Sequence, residues 1–239
     1  MKGVVFQKPL ELTQNIQGET WRQGDAVSGR LEIKSHGGSG ASTEVAVALA
    51  VGDLRQLRQK AADTFEILEE RTLPVQAGSG TWEFKTATDC PITDTGTSLF
   101  VLYGGRPLSV TSGILQLPFK PAFLIEEYLR IFNVRFNFVV KTVKNSKGFV
   151  EAKLAPPSGR EFAKVESAQV SLRLKDDVLS ARVLFQVKTI SATLGELGIQ
   201  KTKKTAEEDL LKINYMTSSG RINDDCLEKS IAAAIATLN

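Results

Sequence analysis

The chain has little of what catalytic and metal-binding proteins depend on. Its 239 residues include one histidine and two cysteines. Two distant cysteines and one histidine make a poor zinc set, so a metal centre would have to be built almost wholly from carboxylates. A Ser-His-Asp or Cys-His arrangement would have to use His36, which stands beside Gly37-Gly38-Ser39-Gly40. A glycine-serine turn holds a catalytic base loosely, so His36 is expected in a solvent-exposed loop. Cys90 and Cys226 have no paired spacing and are expected to be buried thiols in a reducing cytoplasm. No apolar run approaches the roughly 20 residues that a membrane span needs, and residues 1–9 carry none long enough for a signal peptide. Thirty Lys plus Arg against 27 Asp plus Glu leave a net charge of +3, too small a surplus to imply nucleic acid by itself.

What is present is alternation. Gly24-Asp25 is a turn signal, and in the strand that follows Val27, Leu31 and Ile33 face one way while Ser28, Arg30, Glu32 and Lys34 face the other. Val45 to Val51 is expected to pair with that strand across the glycine-rich turn. Residues 81–85 and 98–103 are two more strands, joined through Asp89-Cys90-Pro91-Ile92-Thr93-Asp94-Thr95-Gly96. Residues 54–71 fit a helical stripe and a strand about equally, and a short helix or loop followed by a strand is expected. Pro118-Phe119-Lys120-Pro121 reads as a stiff linker.

Beyond it, Leu124, Tyr128 and Ile131 predict a short helix over about 123–131. Phe132, Val134, Phe136, Phe138 and Val140 then predict a strand. Turns at Asn145-Ser146-Lys147-Gly148 and Asp176-Asp177 join strands that bury Val150, Ala152 and Leu154, then Val170, Leu172 and Leu174, then Ala181, Val183, Phe185 and Val187. Short turns between consecutive strands make an antiparallel sheet. In the tail, Thr205-Ala206-Glu207-Glu208 reads as a capping box with Leu210, Ile213 and Met216 behind it, and Asn223 caps a final helix striped with Leu227, Ile231, Ala234, Ile235 and Leu238. Two roles stand open for these helices: covering the sheet, or docking a partner or a second copy of the chain.

Several motifs are set against plainer roles. Gly37-Gly38-Ser39-Gly40 and Gly78-Ser79-Gly80 lack the Lys-Ser/Thr and following helix of a phosphate cradle and are expected to be hairpin turns. Asp89 and Asp94 flank a proline turn with no matching pocket. The wet face of the second sheet offers Arg135, Lys141, Lys153, Arg173, Lys175, Arg182 and Lys188, either as a solvated face or as a surface for an acidic partner. Phe149 alone interleaves with them, which argues against single-stranded nucleic acid.

In order, four features resemble the arrestin-like proteins, specifically the bacterial sporulation-control family. They are Gly24-Asp25-Ala26-Val27-Ser28-Gly29-Arg30-Leu31; Leu73 to Gly78 with Trp82-Glu83-Phe84, Pro91-Ile92-Thr93 and Leu99-Phe100-Val101; the helix leading to Phe136; and Arg160 to Glu166 with Lys175-Asp176-Asp177 and Phe185-Gln186-Val187. The likeness covers roughly residues 10–195. Gln23 stands where the family's turn often has proline, and the tail has no counterpart.

The resemblance implies a mainly β, arrestin-like chain, with a β-sandwich over 1–121 and a second antiparallel β domain over 122–195; capping and periodicity add a helical tail over 196–239. It implies a cytoplasmic, non-enzymatic scaffold or regulatory protein in a cell-development or sporulation-type pathway, with no catalytic residue, cofactor or metal. Its partners would be proteins met through sheet edges, interdomain groove or tail. An electrostatic binder of anionic membrane or nucleic acid through the basic face is the alternative.

Overall fold

Valine and alanine alternate along Glu44–Asp53, and this one strand explains much of the first unit. Val45, Val47 and Leu49 enter the core between two sheets. Ala46, Ala48 and Ala50 face the other way and are buried too, because small side chains let a further layer approach closely. The computed structural model describes residues 1–36, 44–59, 61, 64–193, 196–205, 211–213, 215–217 and 219–238. These divide into two compact units, Met1–Lys120 and Pro121–Asn239.

In the first unit, β1 (Lys2–Gln7), β2 (Leu10–Ile16), β4 (Ala26–Ser35) and β7 (Ser79–Lys85) form one four-stranded antiparallel sheet, in the order β1-β2-β4-β7. The second has β6 (Phe65–Pro74), β5 (Glu44–Asp53), β8 (Thr97–Gly105) and β9 (Gly113–Leu117), in the order β6-β5-β8-β9. A short parallel pair, β3 (Trp21–Arg22) with β10 (Phe119–Lys120), accompanies them. Leu12, Val27, Leu31, Trp82 and Phe84 from the first sheet share one core with Val47, Leu99, Val101 and Tyr103 from the second. On the outer side of the second sheet Ala50, Phe100 and Leu102 form a smaller cluster, against which Leu54 and Leu57 of helix α1 (Leu54–Gln59) pack. The ambiguous stretch 54–71 is thus a short helix followed by a strand.

Two expected pairings do not form. β4 and β5 lie in different sheets, so the chain changes sheet between them; residues 37–43, including the Gly37-Gly38-Ser39-Gly40 turn, lie outside the described residues. Gly78-Ser79-Gly80 is likewise no hairpin turn. It follows a 3-10 turn at Val75–Ala77 and carries the chain from β6 to β7, again across sheets, with Gly78 at φ 65°.

The second unit opens with helix α2 (Phe123–Phe136), which runs five residues past its expected end and replaces the first part of the strand expected over 132–140, of which Val139 and Val140 are strand. Phe132 continues the buried stripe of Leu124, Ile125, Tyr128, Leu129 and Ile131, whereas Val134 is 61% exposed and Phe136 only half-buried. Asn137 ends the helix in the left-handed region at φ 56°, its N–H bonded to the carbonyls of Phe132 and Asn133. Phe138 then meets Phe132 edge-on at 5.7 Å and Phe185 at 6.3 Å between ring centroids. This cluster holds α2 on one face of the sheet formed by β11 (Val139–Ser146), β12 (Phe149–Ala155), β13 (Val165–Lys175), β14 (Val178–Thr193) and β15 (Glu196–Thr205), in that order, with β16 (Leu211–Ile213) also paired to β14.

The two predicted turns are two-residue hairpin loops. Lys147 and Gly148 (φ 49° and 78°) join Ser146 to Phe149, and Asp176 and Asp177 (φ 49° and 57°) join Lys175 to Val178. Positive φ at both central residues is the primed turn whose twist matches the strands it connects.

Residues 196–239 are not wholly helical as expected. Strands β15 and β16 precede the one helix, and residues 206–210 of the expected capping-box segment lie outside the described residues. Helix α3 (Asp224–Ala236) begins where predicted, with the Asn223 side chain accepting from the Cys226 N–H at 3.1 Å. Leu227, Ile231 and Ala234 are buried, and α3 packs on α2 and β16, with the Tyr128 and Ser230 hydroxyls 3.3 Å apart. The stripe offered to a partner is therefore occupied within the chain.

Two substitutions test this packing. A Cβ at Gly29 would lie 2.6 Å from the Asn15 carbonyl oxygen and 2.6 Å from the Trp82 ring, so Gly29→Ala is expected to cost about 1–3 kcal/mol in urea unfolding. Phe185→Asp leaves an unpaired charge in the aromatic cluster and is expected to abolish the near-UV circular dichroism of the second unit. Phe136→Asp, at a half-buried position, is expected to leave that signal largely intact.

Candidate functional site

On a strand, residues two apart share a face, so pairing register fixes which cations meet on the outer face of the second sheet. Arg182 on β14 stands opposite Ser171 on β13, and Arg173 opposite Ser180. Lys153 on β12 stands opposite Gln169, and Glu151 opposite Ser171. Lys175 and Lys188 continue the same face along β13 and β14. The structure thus brings Lys153, Arg173, Lys175, Arg182 and Lys188 onto one face, turned away from the buried Val170, Leu172, Val183 and Phe185.

Two of the predicted residues are placed otherwise. Arg135 is on α2, where its guanidinium lies 3.6 Å from Glu228 of α3; it belongs to the helix pair and not to the sheet. Lys141 sits at a break in register between Val140 and Thr142, a bulge that takes it out of the ladder. That break shifts the phase of β11 and brings in Lys144, which the sequence pattern missed, opposite Glu151 and 3.0 Å from its carboxylate.

Glu151 also accepts from Gln169 at 2.6 Å. Lys188 lies 4.0 Å from Glu166. Arg173 stacks over the Phe149 ring at 4.8 Å, and its Nε is buried without a hydrogen-bond partner among the described residues. Stacking on the ring fixes the place of the guanidinium on the face.

The first unit holds a cavity of about 350 Å³, walled by Leu49, Val51, Leu68, Pro91, Leu99 and Cys90, with Lys85, Glu69 and Asp89 also lining it. The volume is at the small end for ligand pockets. Burial pushes the Cys90 thiol up to about 11, with Asp89 and Asp25 adding to the rise and bonds from Thr86 and Gly24 opposing it. A thiol so raised is protonated at neutral pH and inert as a nucleophile. Cys226 is only half-buried, and both cysteines are free.

His36 is 59% exposed at the end of β4, with its ring Nε2 3.0 Å from Glu11. That bond, with Lys34 nearby, holds the Glu11 carboxyl below its ordinary range against a desolvation that raises it. Of the two candidate carboxylates, Asp89 lines the cavity, where no pocket was expected, whereas Asp94 accepts from the Gly96 and Thr97 N–H groups at 2.7 and 2.8 Å and closes its own turn. Asp25 likewise secures its turn, accepting from the Arg22 N–H at 2.7 Å.

No family model matches the chain, and no curated protein matches it. Among solved structures, the chain is similar to the crystal structure of Spo0M, a sporulation control protein from Bacillus subtilis. The likeness covers 98% of this chain and 100% of that one, with a TM-score of 0.57 and 13% sequence identity. The two chains share an arrestin-like fold. At that identity the likeness is one of fold alone, and it agrees with the mainly β architecture expected from alternation. No described helix is long and apolar enough to cross a membrane.

The thiol gives a pH test. Its folded pKa lies above the ordinary value near 9, so the stability tied to the neutral thiol is complete below pH 9 and is lost as pH rises towards 11. Between pH 8 and 10.5 the wild type is expected to lose roughly 2 kcal/mol more than Cys90→Ala in urea unfolding. Alkylation of the native protein at pH 8 is expected to label Cys226 well ahead of Cys90.

Proposed function

We propose that this chain is a non-enzymatic, arrestin-like regulatory or scaffold protein of the cytoplasm, working by binding other proteins in a developmental pathway of the sporulation type. The observation that carries this reading is the fold likeness to a sporulation control protein along nearly the whole of both chains. What the architecture offers a protein partner is strand edge. Among the described residues β1 pairs only with β2 and exposes Val4 (48%) and Phe6 (69%); β6 pairs only with β5 and exposes Ile67 (41%) and Leu68 (48%). An edge strand with free backbone groups and exposed apolar side chains suits strand addition, in which the main chain supplies affinity and alternate side chains supply choice.

Proximity labelling in the native cell tests the proposal. A reproducible set of proteins is expected with the wild type, reduced by Val4→Lys with Phe6→Lys or by Ile67→Lys with Leu68→Lys. A labelled set no different from that of the free labelling enzyme would overturn it.

A further inference from the structure

The outer face of the second sheet carries more positive charge than its own carboxylates can balance. Lys144, Lys153, Arg173, Lys175, Arg182 and Lys188 share it, against Glu151 and Glu166, each of which already has a lysine within 4.0 Å. Asp176 and Asp177 stand in the turn beside Lys175 at one end.

The centre of the face is a square of four positions: Ser171 and Arg173 on β13, Ser180 and Arg182 on β14, with the arginines on one diagonal. Diagonal neighbours on a sheet lie about 7–8 Å apart, close enough for one anionic oxygen cluster to engage both guanidiniums. Two like charges at that separation repel one another, and an anion held between them removes the repulsion.

We infer that this face docks on an anionic membrane surface, with Arg173 and Arg182 taking a lipid phosphate between them and Lys153, Lys175 and Lys188 adding long-range attraction. Three observations favour a membrane over other polyanions. The cations spread over β11, β12, β13 and β14, a face and not a groove, which matches an extended charged plane. The two arginines lie on β13 and β14, each paired on both sides, so an acidic peptide lying over them finds no backbone ladder to add to; the edge strand β11 contributes Lys144 alone, already 3.0 Å from Glu151. Among the described residues Phe149 is the one aromatic ring on it, and it is already covered by Arg173, which leaves no platform there for stacked bases.

Co-sedimentation of the full chain with vesicles is the test. Binding is expected to vesicles containing phosphatidylglycerol at low ionic strength, absent with purely phosphatidylcholine vesicles, and falling steeply as salt is raised. Each cation near such a surface is worth about fivefold, so Arg173→Gln with Arg182→Gln is expected to lose binding roughly 25-fold. Lys153→Gln with Lys175→Gln changes exposed residues only; it is expected to lose a similar factor and guards against a folding defect in the first pair, with circular dichroism checking both. No vesicle binding at low salt overturns the inference. So does binding indifferent to both pairs, or binding of RNA or an acidic peptide as tight as that of vesicles at the same salt.

Discussion

The packing of Phe132, Phe138 and Phe185 is the contact on which the second unit depends. A single sheet must bury one face to be stable, and here α2 closes it with α3 packed beside it on α2 and β16. With α2 seated on the inner face through that cluster, the outer face has no structural duty and is left to polar and basic side chains. The first unit solves the same problem differently. Strands β5 and β8 are buried on both faces, one against the opposing sheet and one beneath residues around α1. Charge has no place on strands so enclosed; it gathers on faces left open to water, of mixed sign on β4 and β7 (Arg30, Glu32, Glu83, Lys85) and mainly basic on the sheet of the second unit.

That freedom has an energetic cost. Cross-strand neighbours of like charge destabilise a sheet by some tenths of a kcal/mol each. The face relieves part of it locally: Glu151 takes Lys144, Glu166 stands near Lys188, and Phe149 lies under the Arg173 guanidinium. Arg182 and Lys153 receive no such partner among the described residues. Exposed lysines also guard sheets against edge-to-edge pairing, but β13 and β14 are interior strands, so guarding an edge does not account for their arginines.

Much of this was legible in the sequence because strands with one dry face write their period directly. β4, β12, β13 and β14, both two-residue turns and the Asn223 cap stand where alternation, turn chemistry and capping put them. Over 132–140 the same residues satisfy two periods at once. Phe132 is four residues after Tyr128, as a helix needs, and two before Val134, as a strand needs. Asn137 in the left-handed region decides between them, and its conformation leaves no mark in an alternation count. The error propagated: phase carried forward from Phe136 and Val140 turns Lys141 outward and Lys144 inward, and the bulge after Val140 reverses that for Lys144. The change of sheet between β4 and β5 was illegible for another reason, since glycine serves a hairpin and a crossover equally. β15 was missed because β14 recruits it through backbone pairing, while its own lysine-rich pattern resembles an exposed helix. The cavity beside Cys90 draws on five segments, and no local spacing announces such a site.

The turn at Gly24-Asp25 and the strand after it show why fold and function separate here. Gly29 leaves the space into which the Trp82 ring and the Gln14 amide fit; Gln14 is fully buried and bonds to the Asn15 and Arg30 carbonyls and to the Trp82 indole. Gly24 adopts φ 91°, and Asp25 secures the turn through the Arg22 N–H. Every residue that makes this stretch recognisable is thus accounted for by its neighbours in the sandwich. Resemblance through the motif and likeness through the fold are then one observation made twice, because the fold requires the motif. Neither constrains a partner, and the residues that would do so are those the packing does not explain: Phe6 on an edge, and Arg173 and Arg182 on one diagonal of a face that had no structural need of them.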